Sequence, residues 1–185
     1  MAYYINRKKK HADIQLGFLL KECILNTQKN WEELVFLCIG SDRITGDSLG
    51  PYIGYQLSQY MLPHTNIYGT LEQPVHALNL SGTMEQIHTR HPQALIIAID
   101  ASLGAKKHLG YITVGNGSIR PGAGVRKDLP EVGDVYITGI VCASGFLEHL
   151  ALSNTRLAFV VSMADTITNA ILSVYTETSS LIQTL

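Results

Sequence analysis

The sequence predicts an α/β fold, in which a mostly parallel sheet lies between two layers of helices as a three-layer αβα sandwich. Two apolar runs, Leu34–Ile39 and Ala94–Ile99, have the length and composition of strands buried on both faces. Amphipathic segments alternate with these and later strands, which favours parallel crossover connections. The chain has 185 residues. We therefore expect a single domain over residues 1–185, with residues 1–12 as a flexible basic tail.

The first half of the chain is predicted to alternate helix and strand. Apolar residues at helical spacing predict an amphipathic helix over residues 13–30. After the first buried strand, a polar turn over residues 40–46 leads into a helix that begins near Asp47. Pro51 falls in the first turn of that helix, where its missing N–H is tolerated. The elements that follow are a short strand (66–69), an extended piece (74–78) and a helix (81–90).

The second half continues the alternation after the buried strand that ends on Asp100. Alternating residues around a Gly-Asn-Gly turn predict a hairpin over residues 110–119. A Gly- and Pro-containing loop follows over residues 120–133. The last elements are a strand (135–141), a helix (144–153) and a long helix with one broad apolar face (156–178).

Charge and cysteine content limit the classes of partner and compartment. Lys and Arg number 14 against 15 Asp and Glu, so no net field attracts nucleic acid or an anionic membrane. The basic run Arg7–Lys10 is interpreted as a solvated tail. Three separated cysteines in apolar surroundings, Cys23, Cys38 and Cys142, are typical of reduced thiols in a cytoplasmic protein. We expect no cofactor, no direct nucleic-acid contact and no membrane partner, and homo-oligomer formation stays open.

Two carboxylates are the strongest candidates for chemistry. Asp47 lies at the mouth of the helix after the first buried strand, and Asp100 directly follows six apolar residues. Ligands of open α/β sheets bind beyond the carboxyl ends of the strands. The alternative is structural, with Asp47 as a helix N-cap and Asp100 as a loop cap or an ion-pair partner. The coincidence of both at strand ends favours a functional pair.

Paired carboxyl groups can act as a base and an acid in hydrolysis. Two that approach closely cannot both ionise easily, so one pKa rises and the pair shares a proton. One member can then deprotonate a water while the other donates a proton. With a histidine or a third carboxylate, the same pair could instead hold a divalent metal, and His149 is the candidate. Ser144 beside His149 does not form a nucleophile elbow and is interpreted as a helix cap.

Three segments together resemble the germination protease of spore-forming bacteria. They are Ile39–Pro51 (IGSDRITGDSLGP), Ala98–Ala101 (AIDA) and Ile119–Lys127 (IRPGAGVRK), and they occur in that family's order. The segments also resemble its smaller relatives, the YyaC-type sporulation proteins. A more distant similarity is to hydrogenase maturation endopeptidases, which place similar carboxylates around nickel. The resemblance implies a phosphorylase/hydrolase-like fold of the hydrogenase maturation protease type.

The resemblance also implies an activity and a site. It implies an endopeptidase of sporulation or germination that acts in the forespore or spore core on small acid-soluble spore proteins. Asp47 and Asp100 would be the catalytic carboxylates. The candidate substrate-binding residues are Asp42, Gly122, Gly124, Arg126 and Lys127. Arg126 and Lys127 could instead lie in an exposed turn.

Departures from the family's pattern leave other functions open. Ser41 and Asp42 stand where the germination protease has Asn, and Gly46 replaces a Pro. The germination protease is also longer than this chain, and we expect neither its propeptide nor its extra substructure here. The alternatives are a binding or regulatory sporulation protein without turnover and a metal-dependent maturation peptidase.

Overall fold

Six strands form one mixed sheet in a computed structural model that describes residues 2–122, 129–145 and 147–182, with side chains to residue 175. The strands are β1 (Ala2–Asn6), β2 (Glu33–Cys38), β3 (Thr65–Tyr68), β4 (Ala94–Gly104), β5 (Tyr111–Asn116) and β6 (Val135–Ala143). Their order across the sheet is β1-β5-β6-β4-β2-β3. The four strands from β6 to β3 are parallel, whereas β5 and β1 extend the sheet in antiparallel pairings. The predicted mostly parallel sheet is confirmed.

Helices cover both faces of this sheet. They are α1 (Ala12–Leu25), α2 (Leu49–Ser58), α3 (Leu80–Arg90), α4 (Glu148–Ser153) and α5 (Leu157–Ile182). The larger core packs α1, α2 and α5 against one face, and the smaller core packs α3 against the other. Both strands predicted to be buried contribute alternate side chains to the two cores, which is why their sequences are apolar without interruption. The three-layer αβα arrangement is confirmed.

Helix α5 contains a 19-residue stretch, Leu157–Tyr175, that is long and apolar enough to cross a membrane by length and composition alone. Its apolar residues do not form a uniform surface. One side, which includes Val160, Met163 and Ile167, is fully buried in the larger core. Burial of one face against a sheet and two helices is the arrangement of a core helix in a soluble domain.

The N-terminal residues differ from the predicted tail. Ala2–Asn6 form edge strand β1, and Ile5 is buried in the larger core. The basic residues that follow lie in the turn to α1, where Arg7 stacks over the ring of Phe159, 4.4 Å from the ring centroid. Only one of the five residues of β1 is buried, so its sequence carries too little periodicity to reveal pairing with a distant strand.

Two other predicted elements have different bounds. The first helix ends at Leu25, because the side chains of Thr27 and Asn116 both donate to the carbonyl of Cys23 in its last turn. The hairpin predicted at 110–119 is wrong in its extent. Strand β5 pairs antiparallel with the next strand along the chain, β6, but residues 117–134 lie between them where a tight turn was predicted.

The three cysteines are buried and free. This agrees with the prediction of reduced thiols. Burial raises the pKa of each thiol, most strongly that of Cys38, which is completely enclosed. None of the three is therefore placed as a nucleophile.

Candidate active site

The candidate site lies where the strand order of the parallel sheet reverses. From β2 the chain first moves outward to β3, and it then returns to place β4 on the opposite side of β2. The carboxyl ends of β2 and β4 are therefore neighbours in the sheet, and the ligand crevice of an open α/β sheet lies beyond such a pair of strand ends. Asp47 follows β2 and Asp100 belongs to β4, so both predicted carboxylates lie at this crevice.

Asp100 does not end its strand, contrary to the sequence-based prediction. The ladder between β4 and β2 closes with Ile99 opposite Cys38, whereas the ladder between β4 and β6 continues to Gly104. Asp100 is thus the first residue of β4 beyond β2, held by β6 on one side only. Its side chain is only 7% exposed. A rigid strand therefore fixes the direction of this carboxyl group.

Asp47 is held by a short, tightly packed 3-10 turn, Thr45–Asp47. The N–H of Ser41 donates to the carbonyl of Asp47 at 3.1 Å, which closes the loop after β2. Gly40 enters this loop with a φ of 141°, and a Cβ there would collide with the same carbonyl. On the other side, a Cβ on Gly46 would lie 2.8 Å from the carbonyl oxygen of Leu152 in α4. Backbone contacts on both sides therefore position Asp47.

The structural role that the sequence left open for Asp47 is absent, whereas Asp100 has one of its two, the loop cap. The N-cap of α2 is Ser48, and no side chain caps that helix, so Asp47 is not its N-cap. The Asp100 carboxyl accepts hydrogen bonds from the backbone N–H groups of Ala101 and Gly122. No Lys or Arg among the described residues forms an ion pair with it. Two desolvated carboxyl groups without cationic partners are typical of functional sites.

The environment raises the pKa of both carboxyl groups by different amounts. Burial raises the pKa of Asp47 to about 6, although a backbone hydrogen bond from Ser41 and the charge of His149 act in the opposite direction. Burial, together with the charge of Asp47, raises the pKa of Asp100 well above its usual range. The electrostatic effect of Asp47 on Asp100 indicates that the pair titrates as a coupled unit. Of the two carboxyl groups, Asp100 is therefore the one that holds a proton more strongly.

Of the predicted substrate-binding residues, one contacts the dyad, the pair formed by Asp47 and Asp100. This residue is Gly122, whose backbone N–H donates to the Asp100 carboxyl group. Asp42 is exposed in the loop before Asp47 and makes no hydrogen bond or ion pair to another described residue. Gly124, Arg126 and Lys127 lie outside the described residues. Their predicted substrate contacts stay predictions.

His149 is the neighbour of the dyad that the sequence located only weakly. It is an exposed residue of α4, and its positive charge lowers the pKa of Asp47. The contact between α4 and the Asp47 turn through Gly46 and Leu152 explains this proximity. The only sequence signal for His149 was its position close to Ser144. Ser144 itself is not a helix cap, because α4 begins at Glu148 and the N–H of Ser144 extends the β4–β6 ladder to Gly104.

The donor set does not fit a metal centre. Among the residues that the structure describes, no group of three or more His, Cys, Asp or Glu side chains could hold a metal ion. His149 acts on Asp47 through its charge without joining both carboxylates as a ligand. The nickel site implied by the more distant resemblance therefore has no counterpart in the described part of the chain.

Comparisons with known proteins identify a family and a fold. The family model described as "Protein of unknown function (DUF1256)" matches residues 4–170. The uncharacterized protein YyaC of Bacillus subtilis is 52% identical over 132 residues, which are 71% of this chain and 64% of that protein. The chain thus matches less than two thirds of this relative's length. The [NiFe] hydrogenase maturation protease HycI of Thermococcus kodakarensis superposes with a TM-score of 0.56 at 14% identity, over 85% of this chain and 99% of HycI. At that identity the likeness concerns the fold alone.

Proposed function

We propose that this chain, which belongs to the DUF1256 family, hydrolyses peptide bonds with the carboxyl groups of Asp47 and Asp100. The observation that carries the proposal is the unequal pKa of a half-buried carboxyl group, Asp47, and a buried one, Asp100, at the crevice where the strand order reverses. Pairs of titratable groups whose environments separate their pKa values are the usual acid and base of hydrolytic sites. The likeness of the fold to a maturation protease supports the reaction class.

The unequal protonation assigns a role to each carboxyl group. Asp47, with a pKa of about 6, is mostly ionised near neutral pH and accepts a proton from a water molecule. The resulting hydroxide attacks the carbonyl carbon of the peptide bond. Asp100, which keeps its proton, donates it to the leaving amine as the carbon–nitrogen bond breaks. The proton that Asp47 has taken up then restores Asp100, so no other reactant is consumed.

The substrate part of the proposal rests on the resemblance to germination proteases. It assigns small acid-soluble spore proteins as substrates and the forespore or spore core as the place of action. Asp42, Gly122, Gly124, Arg126 and Lys127 are the proposed substrate contacts. The exposed position of Asp42 beside the Asp47 loop is consistent with contact to an incoming polypeptide.

Cleavage of a purified small acid-soluble spore protein tests the proposal. Wild type is compared with Asp47→Asn, Asp100→Asn and the control Glu85→Gln, which changes an exposed side chain on α3. We expect cleavage by the wild type and by Glu85→Gln, and a loss of at least about 100-fold in either dyad variant. Cleavage that survives both dyad substitutions would exclude the mechanism.

Absence of cleavage by all four proteins would instead favour a binding or regulatory protein that keeps the protease fold. The metal-dependent alternative is tested in the same assay by adding a chelator or nickel. Since the described residues offer no three-ligand group, we expect neither addition to change the rate.

A further inference from the structure

An open groove runs between the outer edge of β3 and helix α3. Its volume is about 850 Å³. Strand residues Asn66 and Tyr68 line one side, and helix residues Gly82, Thr83, Gln86 and Arg90 line the other. A groove between an edge strand and a helix is the shape in which several peptide-binding domains hold an extended segment.

The strand side of the groove offers unpaired backbone groups. Strand β3 is the last strand of the sheet, and β2 is its only neighbour. The N–H of Leu34 in β2 donates to the carbonyl of His64 at 2.9 Å. The backbone of His64 therefore faces β2. In a parallel ladder every second residue points its backbone N–H and C=O groups to the same side, so the backbone groups of Asn66 and Tyr68 also face β2. The N–H and C=O groups of Thr65 and Ile67 therefore point outward.

The helix side of the groove leaves room for an added strand. Gly82, Gln86 and Arg90 are spaced four residues apart, so they form one stripe along α3. A Cβ on Gly82 would meet no atom within 4 Å, which shows that the space beside this stripe is open. The buried residues of α3, Leu80, Met84 and Ile87, face the sheet and fix the helix in this position.

The charge of the groove selects among extended segments. Its ionisable lining residues are Arg90 and His76, and no Asp or Glu occurs among the described residues that line it. Arg90 is exposed and makes no ion pair with a described residue. Glu33, a carboxylate behind the lining, accepts from Asn66 at 2.8 Å and pairs with His91 at 3.0 Å. A negatively charged segment fits this surface better than a basic one.

We propose that the groove binds an extended, acidic segment of a partner polypeptide, which adds to the sheet beside β3. The outward backbone groups of Ile67, which lines the groove, pair with the segment, and Arg90 binds one of its carboxylates. The end of the groove at Val75 adjoins the dyad loop, since the carbonyl of Val75 accepts from the N–H of Gly40 at 2.8 Å. The proposal does not depend on catalysis and holds for an inactive protein too.

A fluorescein-labelled octapeptide of alternating Glu and Val tests the proposal by fluorescence anisotropy. We expect the wild type to bind with a Kd on the order of 10–100 µM. Gly82→Trp should bind about tenfold more weakly or worse, because tryptophan would fill the open side of the groove. Glu85→Trp is the matched control, since Glu85 is exposed on the same helix outside the lining. Arg90→Glu should also bind the Glu-Val peptide about tenfold more weakly than wild type. It should bind a peptide with Lys in place of Glu more tightly than wild type does.

Hydrogen exchange distinguishes strand addition from simple charge attraction. Bound peptide should slow exchange of the Ile67 amide, and a peptide with Pro at alternate positions should give no protection because it lacks the N–H donors. The proposal is overturned if Gly82→Trp binds like Glu85→Trp, or if Ile67 gains no protection. It is equally overturned if sedimentation shows a dimer that Gly82→Trp disrupts while the peptide fails to bind, because a second copy of the chain would then occupy the edge.

Discussion

Replacing Asp47 with Asn should stabilise the folded protein, and the gain should grow with pH. Burial raises the pKa of Asp47 from 3.8 to about 6, so the folded protein retains a proton that the unfolded chain has already released. Between these two values the free energy of unfolding of the wild type falls as the pH rises. Asn has nearly the same shape and does not titrate, so the variant lacks this loss.

The size of the effect follows from the shift in pKa. One pKa unit corresponds to about 1.4 kcal/mol, so a shift of about two units makes ionised Asp47 cost the folded protein about 3 kcal/mol. The gain in Asp47→Asn should therefore be small near pH 4 and approach about 3 kcal/mol near pH 8. Removal of the Asp47 charge also relieves its repulsion of Asp100, which adds to the gain at high pH.

Urea unfolding of wild type and variant at several pH values measures this difference directly, without a substrate. Asp42→Asn is the control, because Asp42 is an exposed aspartate of the same loop and should give no comparable pH-dependent gain. A difference between wild type and Asp47→Asn that stays constant with pH would show that Asp47 is not desolvated. The assignment of Asp47 as the base would then lose its physical basis.

Three further predictions concern the same crevice. In the cleavage assay, kcat/KM should rise with a midpoint near pH 6 as Asp47 ionises, and should fall at higher pH as Asp100 loses its proton. A value of kcat/KM that still rises through alkaline pH would contradict these roles. His149→Gln removes a positive charge that lowers the pKa of Asp47, so the midpoint of the acidic limb of the kcat/KM profile should rise by about a few tenths of a pH unit. An unchanged midpoint would show that His149 is not part of the site. Gly46→Val should lower the free energy of unfolding by about 1–3 kcal/mol, measured in urea, because its Cβ would lie 2.8 Å from the Leu152 carbonyl oxygen; an unaffected stability would mean that α4 moves away freely.

The sequence alone determined the layer architecture and the two candidate carboxylates. The runs at 34–39 and 94–99 are apolar at every position, and only a strand covered on both faces buries all of them. The acidic residues that follow such runs stand out for the same reason, because a carboxylate beside a buried strand needs an explanation. Local pattern therefore carried these predictions, and the motif resemblance assigned them a chemistry.

Only the tertiary structure decided the strand order, and with it the meeting of Asp47 and Asp100. Strand pairing depends on contacts between distant segments, so local periodicity did not reveal that β1 pairs with β5 or that the partner of β5 is β6. The same holds for His149, which reaches the Asp47 turn because α4 packs against Gly46. Desolvation depends on every group that covers a carboxylate, and for this reason the unequal pKa values of the pair belong to the fold and not to either residue's sequence context.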